Sequence, residues 1–364
     1  MRVLLCGGGT AGHVNPAIAI AQTVMRNSPE SDIAYVATEN GIENQLVPFK
    51  KYHIEVMGLK RSLSLSNVKA AYLTLRAISK SKAIIKDFCP DIIVGTGGYS
   101  TYPVIYAGNV LGIKTAVHES NAVPGKAIKM LQKRADKIFV NFEETKEYFS
   151  AKDKVMYTGN PLRNGFNSYN RAEARKMMGV SEKYVVLCYG GSLGASRVND
   201  GAIQLIENLV CEDPNILFVW ATGKREYGKI KNILHEKRYD KLKNVLVSDY
   251  IYDMAEKTAA ADIVISRAGA MSISEAAAGG KCTIFIPSPN VTDNHQYKNA
   301  KMLGDNGAAV VITEDELYKL TDTVRELLYD DKKRLSMSKS IKKFFVPDAN
   351  RRIYRELFKM VHSK

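Results

Sequence analysis

Gly7-Gly-Gly-Thr-Ala-Gly12, followed at once by His13, is the segment of this 364-residue chain whose residue types and spacing best suit chemistry. It satisfies the spacing G-x-G-x-x-G. Glycines there let backbone N–H groups approach a pyrophosphate, and the N-terminus of a following helix favours its charge. The same run could equally close a tight strand-to-helix turn without a ligand. His13 also has two readings. The positive end of a helix dipole disfavours imidazolium, so a neutral imidazole in a cleft could take a proton from a sugar hydroxyl; or His13 is a polar residue that closes the loop. A dinucleotide site calls for an acidic residue about 20 positions on. Glu39 is the fair candidate, and it comes late.

Other polar clusters carry the same kind of ambiguity. Ser192 in Gly190-Gly-Ser-Leu-Gly194 suits a phosphate through its hydroxyl and the neighbouring amides, or caps a helix. Glu275 follows Ser272 at the spacing of a capping box, and spacing alone favours that role over a carboxylate accepting two ribose hydroxyls. Asp293-Asn-His-Gln296 and His118-Glu-Ser-Asn121 could read sugar hydroxyls or form exposed turns. There is no D-x-D pair and no His/Cys cluster, so no metal is expected. A leaving diphosphate would then be neutralised by amides and a helix dipole.

These loops need elements to hold them, and an internal repeat supplies the plan. Val3-Leu-Leu-Cys-Gly-Gly-Gly-Thr-Ala-Gly12 and Val185-Val-Leu-Cys-Tyr-Gly-Gly-Ser-Leu-Gly194 lie 182 residues apart. Each reads as a buried strand, a glycine loop and a helix. Asp91-Ile-Ile-Val-Gly-Thr-Gly-Gly98 parallels Asp262-Ile-Val-Ile-Ser-Arg-Ala-Gly269 in the same way. Further strands are expected at Ile33–Val36, Thr115–His118, Lys137–Val140, Ile216–Ala221, Asn244–Val247 and Thr283–Ile286. Helices are expected at Ala17–Arg26, Val68–Lys86, Gly201–Leu209, Glu316–Leu328 and Ala349–Val361, the last capped by Asp348. Alternation of this kind predicts an α/β protein with two parallel sheets covered by helices. The linker is expected near Gly159-Asn-Pro-Leu-Arg-Asn-Gly165. Ligands of such sheets bind beyond the carboxyl ends of the strands, where all four glycine loops fall, so two halves would face each other across one cleft.

Composition narrows the partners. The net charge of +14 favours nucleic acid, anionic lipid or a phosphorylated substrate. Cys6, Cys89, Cys188, Cys211 and Cys282 form no C-x-x-C pair, which reads as reduced thiols in a cytosolic setting. No apolar run approaches the roughly 18 residues of a membrane span, so a soluble chain that rests on a membrane is the expectation. From Leu59 to Lys86 the chain is basic and amphipathic: Leu63, Leu65, Val68, Tyr72, Leu75 and Ile78 alternate with Lys60, Arg61, Lys69, Arg76, Lys80, Lys82 and Lys86. That suits an anionic bilayer, or a helix packed on its own domain with solvated lysines.

Seven segments recur in order in a known family: Gly8-Gly-Thr-Ala-Gly-His13-Val-Asn-Pro-Ala17, Gly95-Thr-Gly-Gly-Tyr99, His118-Glu-Ser-Asn121 with Pro124-Gly125, Gly159-Asn-Pro-Leu-Arg163, Gly190-Gly-Ser-Leu-Gly-Ala195, Gly269-Ala-Met-Ser-Ile-Ser-Glu275 and Asp293-Asn-His-Gln-Tyr297-Lys-Asn-Ala300. On these residues nearly the whole chain resembles the bacterial MurG family, the N-acetylglucosaminyltransferase that converts lipid I to lipid II in peptidoglycan synthesis. The resemblance implies a GT-B fold, an inverting metal-independent mechanism and no cofactor. It implies residues 1–162 as the acceptor domain, 163–347 as the UDP-GlcNAc domain and 348–364 as a C-terminal helix crossing back to the first.

By the same resemblance, Ser192 meets the diphosphate, Ile251 the uracil and Glu275 the ribose, with Arg163 beside the nucleotide. His295 and Gln296 face the donor sugar, and Thr10, Gly12, Asn121 and Met271 complete the donor set. Gly8, Gly9, Thr10, Gly97, Gly98 and Tyr99 take the lipid diphosphate. His13 is the implied general base, with Glu119 the second candidate. The basic apolar segment becomes a docking surface on the cytoplasmic face of the membrane, and nucleic acid drops out as a partner. The sequence departs from the family pattern at Ala11, Ser120, Leu193 and His295; His295 bears on selectivity for the donor sugar. Two other readings share the architecture: an enzyme with another acceptor or a UDP-GlcNAc 2-epimerase, and a non-catalytic nucleotide-sugar-binding scaffold.

Overall fold

The computed structural model describes residues 1–364 except 59–64, 164–165, 167–168, 181–183, 192, 292–293 and 364, and the side chains of 65 and 66. The chain divides into two compact units, residues 1–163 with 346–364, and residues 164–345.

In the first unit, β1 (Arg2–Cys6), α1 (Ala11–Asn27), β2 (Asp32–Thr38), α2 (Glu43–Leu46), β3 (Lys50–Ile54), α3 (Leu65–Phe88), β4 (Ile92–Gly95), α4 (Thr101–Val110), β5 (Lys114–Glu119), α5 (Lys126–Leu131), β6 (Lys137–Val140) and β7 (Val155–Tyr157) alternate along the chain. Seven parallel strands pair in the order β3-β2-β1-β4-β5-β6-β7. Both faces are covered, so β1 reads as one apolar run. Its side chains still alternate. Leu4 and Cys6 enter the core under α3, α4 and α5, whereas Val3 and Leu5 enter the core under α1.

In the second unit, α6 (Arg171–Met178), β8 (Tyr184–Tyr189), α7 (Ser196–Leu205), β9 (Ile216–Ala221), α8 (Tyr227–Glu236), β10 (Val245–Ser248), α9 (Met254–Ala260), β11 (Ile263–Ser266), α10 (Ala270–Gly279), β12 (Cys282–Phe285), α11 (His295–Asp305), β13 (Val310–Val311), α12 (Leu320–Tyr329) and α13 (Asp331–Lys342) follow. The parallel order is β10-β9-β8-β11-β12-β13. Trp220 is fully buried there, and its indole N–H donates to Asn199 at 3.1 Å, so a large apolar side chain is buried without an orphaned donor.

The final helix, α14 (Ala349–His362), belongs to the first unit and buries Ile353 and Leu357 in the α1 core. Asn350 fixes it, exchanging two hydrogen bonds with the backbone of Leu162 and a third with Thr23. Asp348 occupies the N-cap position, but its side chain makes no capping bond.

Both sheets are the doubly wound, Rossmann-like parallel sheets expected, and the repeat has a physical basis. Asp91 before β4 accepts from the Arg2 amide at 2.7 Å; Asp262 before β11 accepts from the Val185 amide at 2.8 Å. The Asp262 carboxylate also pairs with Arg171 and Arg175, tying α6 to the sheet.

Several expectations need correction. Helix α1 begins at Ala11, six residues before the expected start, and carries Pro16 inside it. Helix α7 begins at Ser196 rather than Gly201, with Ala195 at its N-cap. The expected apolar surface from Leu63 to Ile78 also divides. Val68, Tyr72 and Leu75 are exposed at 69%, 59% and 68%, Ile78 packs against the core, and Leu63 lies outside the described residues. Among the described residues, no helix is long and apolar enough to cross a membrane.

Candidate functional site

Each sheet reverses its winding once, between β1 and β4 and between β8 and β11. Such a switch point opens a crevice beyond the carboxyl ends of the strands. All four glycine loops lie at these two points.

In the first unit the loop after β1 and the loop after β4 pack backbone to backbone. The Gly8 amide donates to the Gly97 carbonyl at 3.2 Å. Gly98 has φ +80°, and a Cβ there would fall 2.2 Å from the Gly8 oxygen. Only glycine meets both demands. Thr101 caps the second loop through the Gly97 amide and carbonyl, and Tyr35 donates to the Gly7 carbonyl at 2.6 Å. Thr10 stands at the N-cap of α1, and Gly12 lies in its first turn. Tyr99 is 40% exposed, its ring against Gly9.

His13 is held over this pair of loops. Its Nδ1 lies 2.9 Å from the Gly8 carbonyl oxygen and 3.3 Å from Thr10 Oγ1. A carbonyl only accepts, so Nδ1 carries the proton; a neutral ring would then have its lone pair at Nε2. The ring lies across Gly97, where a Cβ would come within 2.7 Å of Cδ2. Thr96 Oγ1 donates to the His13 carbonyl at 2.6 Å and pins its backbone. This arrangement can hold an anion against backbone amides and accept a proton beside it.

Glu119 ends β5 and is buried. Oε1 accepts from the amide and side chain of Asn121 at 2.9 and 3.0 Å; Oε2 accepts from the Gly125 amide at 2.8 Å. Burial pushes its carboxyl above the ordinary range, against the lowering effect of those donors. One residue earlier, His118 is fully buried. Its Nε2 donates to the Gly159 carbonyl at 3.2 Å, and Ser120 Oγ lies 3.4 Å from Nδ1. Burial lowers His118 to about 4, so it stays neutral. Arg163 is exposed and is the last residue of the first stretch of this unit.

The second unit repeats the loop device. Gly191 and Gly194 have φ +98° and +89°, and Gly194 packs against Gly223, where an added Cβ would fall 2.0 Å from its nitrogen. Ser192 lies outside the described residues. Glu275 does not form the expected capping box. Helix α10 begins at Ala270 with Gly269 at the N-cap, so Ser272 and Glu275 are both inside the helix. Glu275 and Met271 are buried on it. Burial, and then the Glu275 carboxylate, push the Tyr189 hydroxyl at the end of β8 well above its usual range. Ile251 is buried after β10. His295 opens α11, and Gln296 Oε1 accepts from the Ser288 amide at 2.9 Å, tying that helix to the loop after β12. Among the described residues no group of His, Cys, Asp and Glu is placed to hold a metal ion.

Sequence reasoning missed the supports of the first loop pair: Tyr35, Thr96, Ser100 and Glu43. Tyr35, Thr96 and Ser100 are polar residues in apolar or glycine-rich runs, whereas Glu43 stands in a polar stretch; only packing behind the loops marks Tyr35 and Glu43 as supports.

Comparison with known proteins bears on both units. The glycosyltransferase family 28 N-terminal domain matches residues 3–140, and the family 28 C-terminal domain matches residues 185–353. The chain is 39% identical over 370 residues to the UDP-N-acetylglucosamine–N-acetylmuramyl-(pentapeptide) pyrophosphoryl-undecaprenol N-acetylglucosamine transferase of Acetivibrio thermocellus, covering 100% of this chain and 99% of that one. It is 39% identical to the enzyme of the same name from Bacillus pumilus, over 98% of each. Among solved structures, Acinetobacter baumannii MurG superposes with a TM-score of 0.76 at 26% identity, covering 98% and 99% of the two chains. A UDP-GlcNAc 2-epimerase from Neisseria meningitidis superposes with a TM-score of 0.68 over 99% and 100%, at 15% identity, a likeness of fold alone.

Proposed function

The chain belongs to the family of UDP-N-acetylglucosamine–N-acetylmuramyl-(pentapeptide) pyrophosphoryl-undecaprenol N-acetylglucosamine transferases, and from that membership we propose that it transfers GlcNAc from UDP-GlcNAc to the 4-hydroxyl of MurNAc in lipid I. The products are lipid II and UDP. The observation that carries this reading is identity of 39% along the full chain. The epimerases are similar in fold at far lower identity, so the transferase reading is preferred.

In the mechanism we infer, the first unit binds the acceptor. Gly8, Gly9, Thr10, Gly97, Gly98 and Tyr99 surround its diphosphate with backbone amides and the first turn of α1. His13 Nε2 takes the proton of the 4-hydroxyl. The oxygen attacks the anomeric carbon of GlcNAc, and the bond to the UDP oxygen breaks with inversion. Glu119 has both oxygens engaged by the Asn121–Gly125 loop, which supports a role in holding that loop. In the second unit Ser192, Ile251, Met271, Glu275, His295 and Gln296 bind UDP-GlcNAc, and Arg163 stands at the nucleotide. No metal or cofactor enters the mechanism; amides and helix dipoles offset the charge of the leaving diphosphate.

The enzyme works as a peripheral protein on the cytoplasmic face of the membrane. Val68, Tyr72 and Leu75 form one exposed stripe of α3, with Lys69, Arg76 and Lys80 exposed beside them. A basic residue near an anionic surface contributes about 1 kcal/mol. Replacing the three apolar residues with serine should cut binding to phosphatidylglycerol vesicles about tenfold or more. Unchanged binding would remove α3 as the docking surface. The reaction itself is tested by product mass. Incubation with UDP-GlcNAc and a short-chain lipid I analogue should add one GlcNAc to the acceptor. Conversion of UDP-GlcNAc without acceptor would instead support the epimerase reading.

A further inference from the structure

Behind the first glycine loop lies a carboxyl group that the mechanism above leaves unused. Glu43 opens the short helix α2 and is completely buried. Its Oε1 accepts from the Thr38 amide at 2.9 Å and from Thr38 Oγ1 at 2.6 Å. Those bonds fix the carboxyl at the end of β2. Among the described residues its Oε2 has no hydrogen-bond partner, nor does the buried Ser100 Oγ. Buried polar atoms are rarely left in that state.

Both side chains stand against Gly8, on the side where a Cβ would project. A Cβ at Gly8 would fall 2.8 Å from Glu43 Oε1 and 3.0 Å from Ser100 Oγ; a Cβ at Gly41 would fall 2.1 Å from Oε1 on that residue's side. The carboxyl is therefore wedged between the Cα atoms of Gly41 and Gly8. Gly98 packs on the Gly8 carbonyl from the other loop. The Gly8 peptide is thus confined by Glu43, Ser100 and Gly98, and its carbonyl oxygen is the atom that receives the proton of His13 Nδ1 at 2.9 Å.

We propose that Glu43 is a positioning residue for His13, acting through the Gly8 peptide. By fixing where the Gly8 carbonyl points, the wedge fixes which imidazole nitrogen carries the proton, because the hydrogen bond at one ring nitrogen sets the tautomer. The inference rests on the reading of His13 as general base. It accounts for the placement of a buried carboxyl with one unpartnered oxygen: the group is held by Thr38 for its volume and position beside Gly8. The residues it needs are a strand-end threonine, a glycine on each side and an acidic side chain two positions after the second glycine.

The test uses the full chain labelled with 15N-histidine. Long-range proton–nitrogen correlations identify the tautomer of each imidazole, and the His13 signals are those lost in His13→Gln. In the native protein His13 should show the Nδ1–H pattern. Glu43→Ala empties the wedge; His13 should then show both tautomers, and kcat should fall about tenfold, part of the 10² or more that a positioned base contributes, with KM for UDP-GlcNAc unchanged. Glu43→Gln keeps the volume and the acceptor for Thr38, and should retain the native pattern and most of kcat. If Glu43→Ala does not fold, Glu43→Asp withdraws the carboxyl by one methylene and should show the same mixed pattern. A folded Ala or Asp variant with the native His13 pattern would overturn the proposal, as would a Gln variant that loses it. Should His13→Gln keep full turnover, the base reading fails, whereas the tautomer result still judges the role of Glu43.

Discussion

Lowering the pH should loosen the first unit through one residue, His118. Its ring is fully buried in β5, donates to the Gly159 carbonyl and is lowered to about 4, whereas an unfolded histidine titrates near 6.5. The folded value lies below the unfolded one, so the unfolded chain binds the proton first. The stabilisation is therefore complete above about pH 6.5 and is lost as the pH falls toward 4. Between pH 7 and pH 4.5 this single group removes about 2 kcal/mol by linkage, and about 3 kcal/mol at the limit. His118→Asn, which keeps a donor for Gly159 and cannot titrate, lacks that component. Native-state hydrogen exchange of peptides covering β5 would follow the first unit. The single tryptophan, Trp220, is buried in the second unit, so its fluorescence is an internal control. The pH dependence of β5 protection should be steeper in the native chain than in His118→Asn by roughly that amount, and the Trp220 transition should differ little between them. Equal slopes in both chains would show that His118 is not held neutral by burial.

Three other outcomes follow from the geometry. Gly98→Ala puts a Cβ 2.2 Å from the Gly8 oxygen at φ +80°, so KM for a lipid I analogue should rise about tenfold or more with donor KM unchanged; normal acceptor kinetics would dismiss the loop pair as the acceptor site. Glu275 lies inside α10 rather than at its N-cap, so Glu275→Ala should weaken UDP-GlcNAc binding about tenfold, the value of a charge-assisted hydrogen bond, and calorimetric titration reads this directly; a change in melting temperature alone would make its role structural. Asp262→Asn breaks a buried pair with Arg175 and a contact to Arg171 and should cost about 3–5 kcal/mol in denaturant unfolding followed by Trp220; a loss under about 1 kcal/mol would mean the network is solvated.

The central strands were legible because both of their faces are buried, which turns β1, β4, β8 and β11 into apolar runs, each leading into a glycine-bearing loop. Three of the four edge strands, β3, β7 and β13, were not; the fourth, β10, was. Strand β3, Lys-Lys-Tyr-His-Ile, carries polar residues at the sheet margin, and β13 has two residues. The start of α1 was placed late because glycines and Pro16 weaken helix propensity there; the loop contacts at Gly8 and Thr96 hold that turn. Spacing suggested a cap for Glu275 because Ser272 stands three residues before it, but Gly269 takes the N-cap and puts both inside the helix. His13, Gly97 and Gly98 were visible as chemistry-bearing types. Glu43 and Tyr35 were not, since their importance comes from packing behind the loop, across sequence separations that no local pattern records.

The most direct measurement is UDP release in EDTA, from UDP-GlcNAc with and without a short-chain lipid I analogue, for the native chain and His13→Ala. The account predicts release by the native chain only when the acceptor is present, and a fall of about 10²–10⁴ in the variant with unchanged affinity for UDP-GlcNAc. Release without acceptor, loss of activity in EDTA, or a fully active His13→Ala would each contradict it.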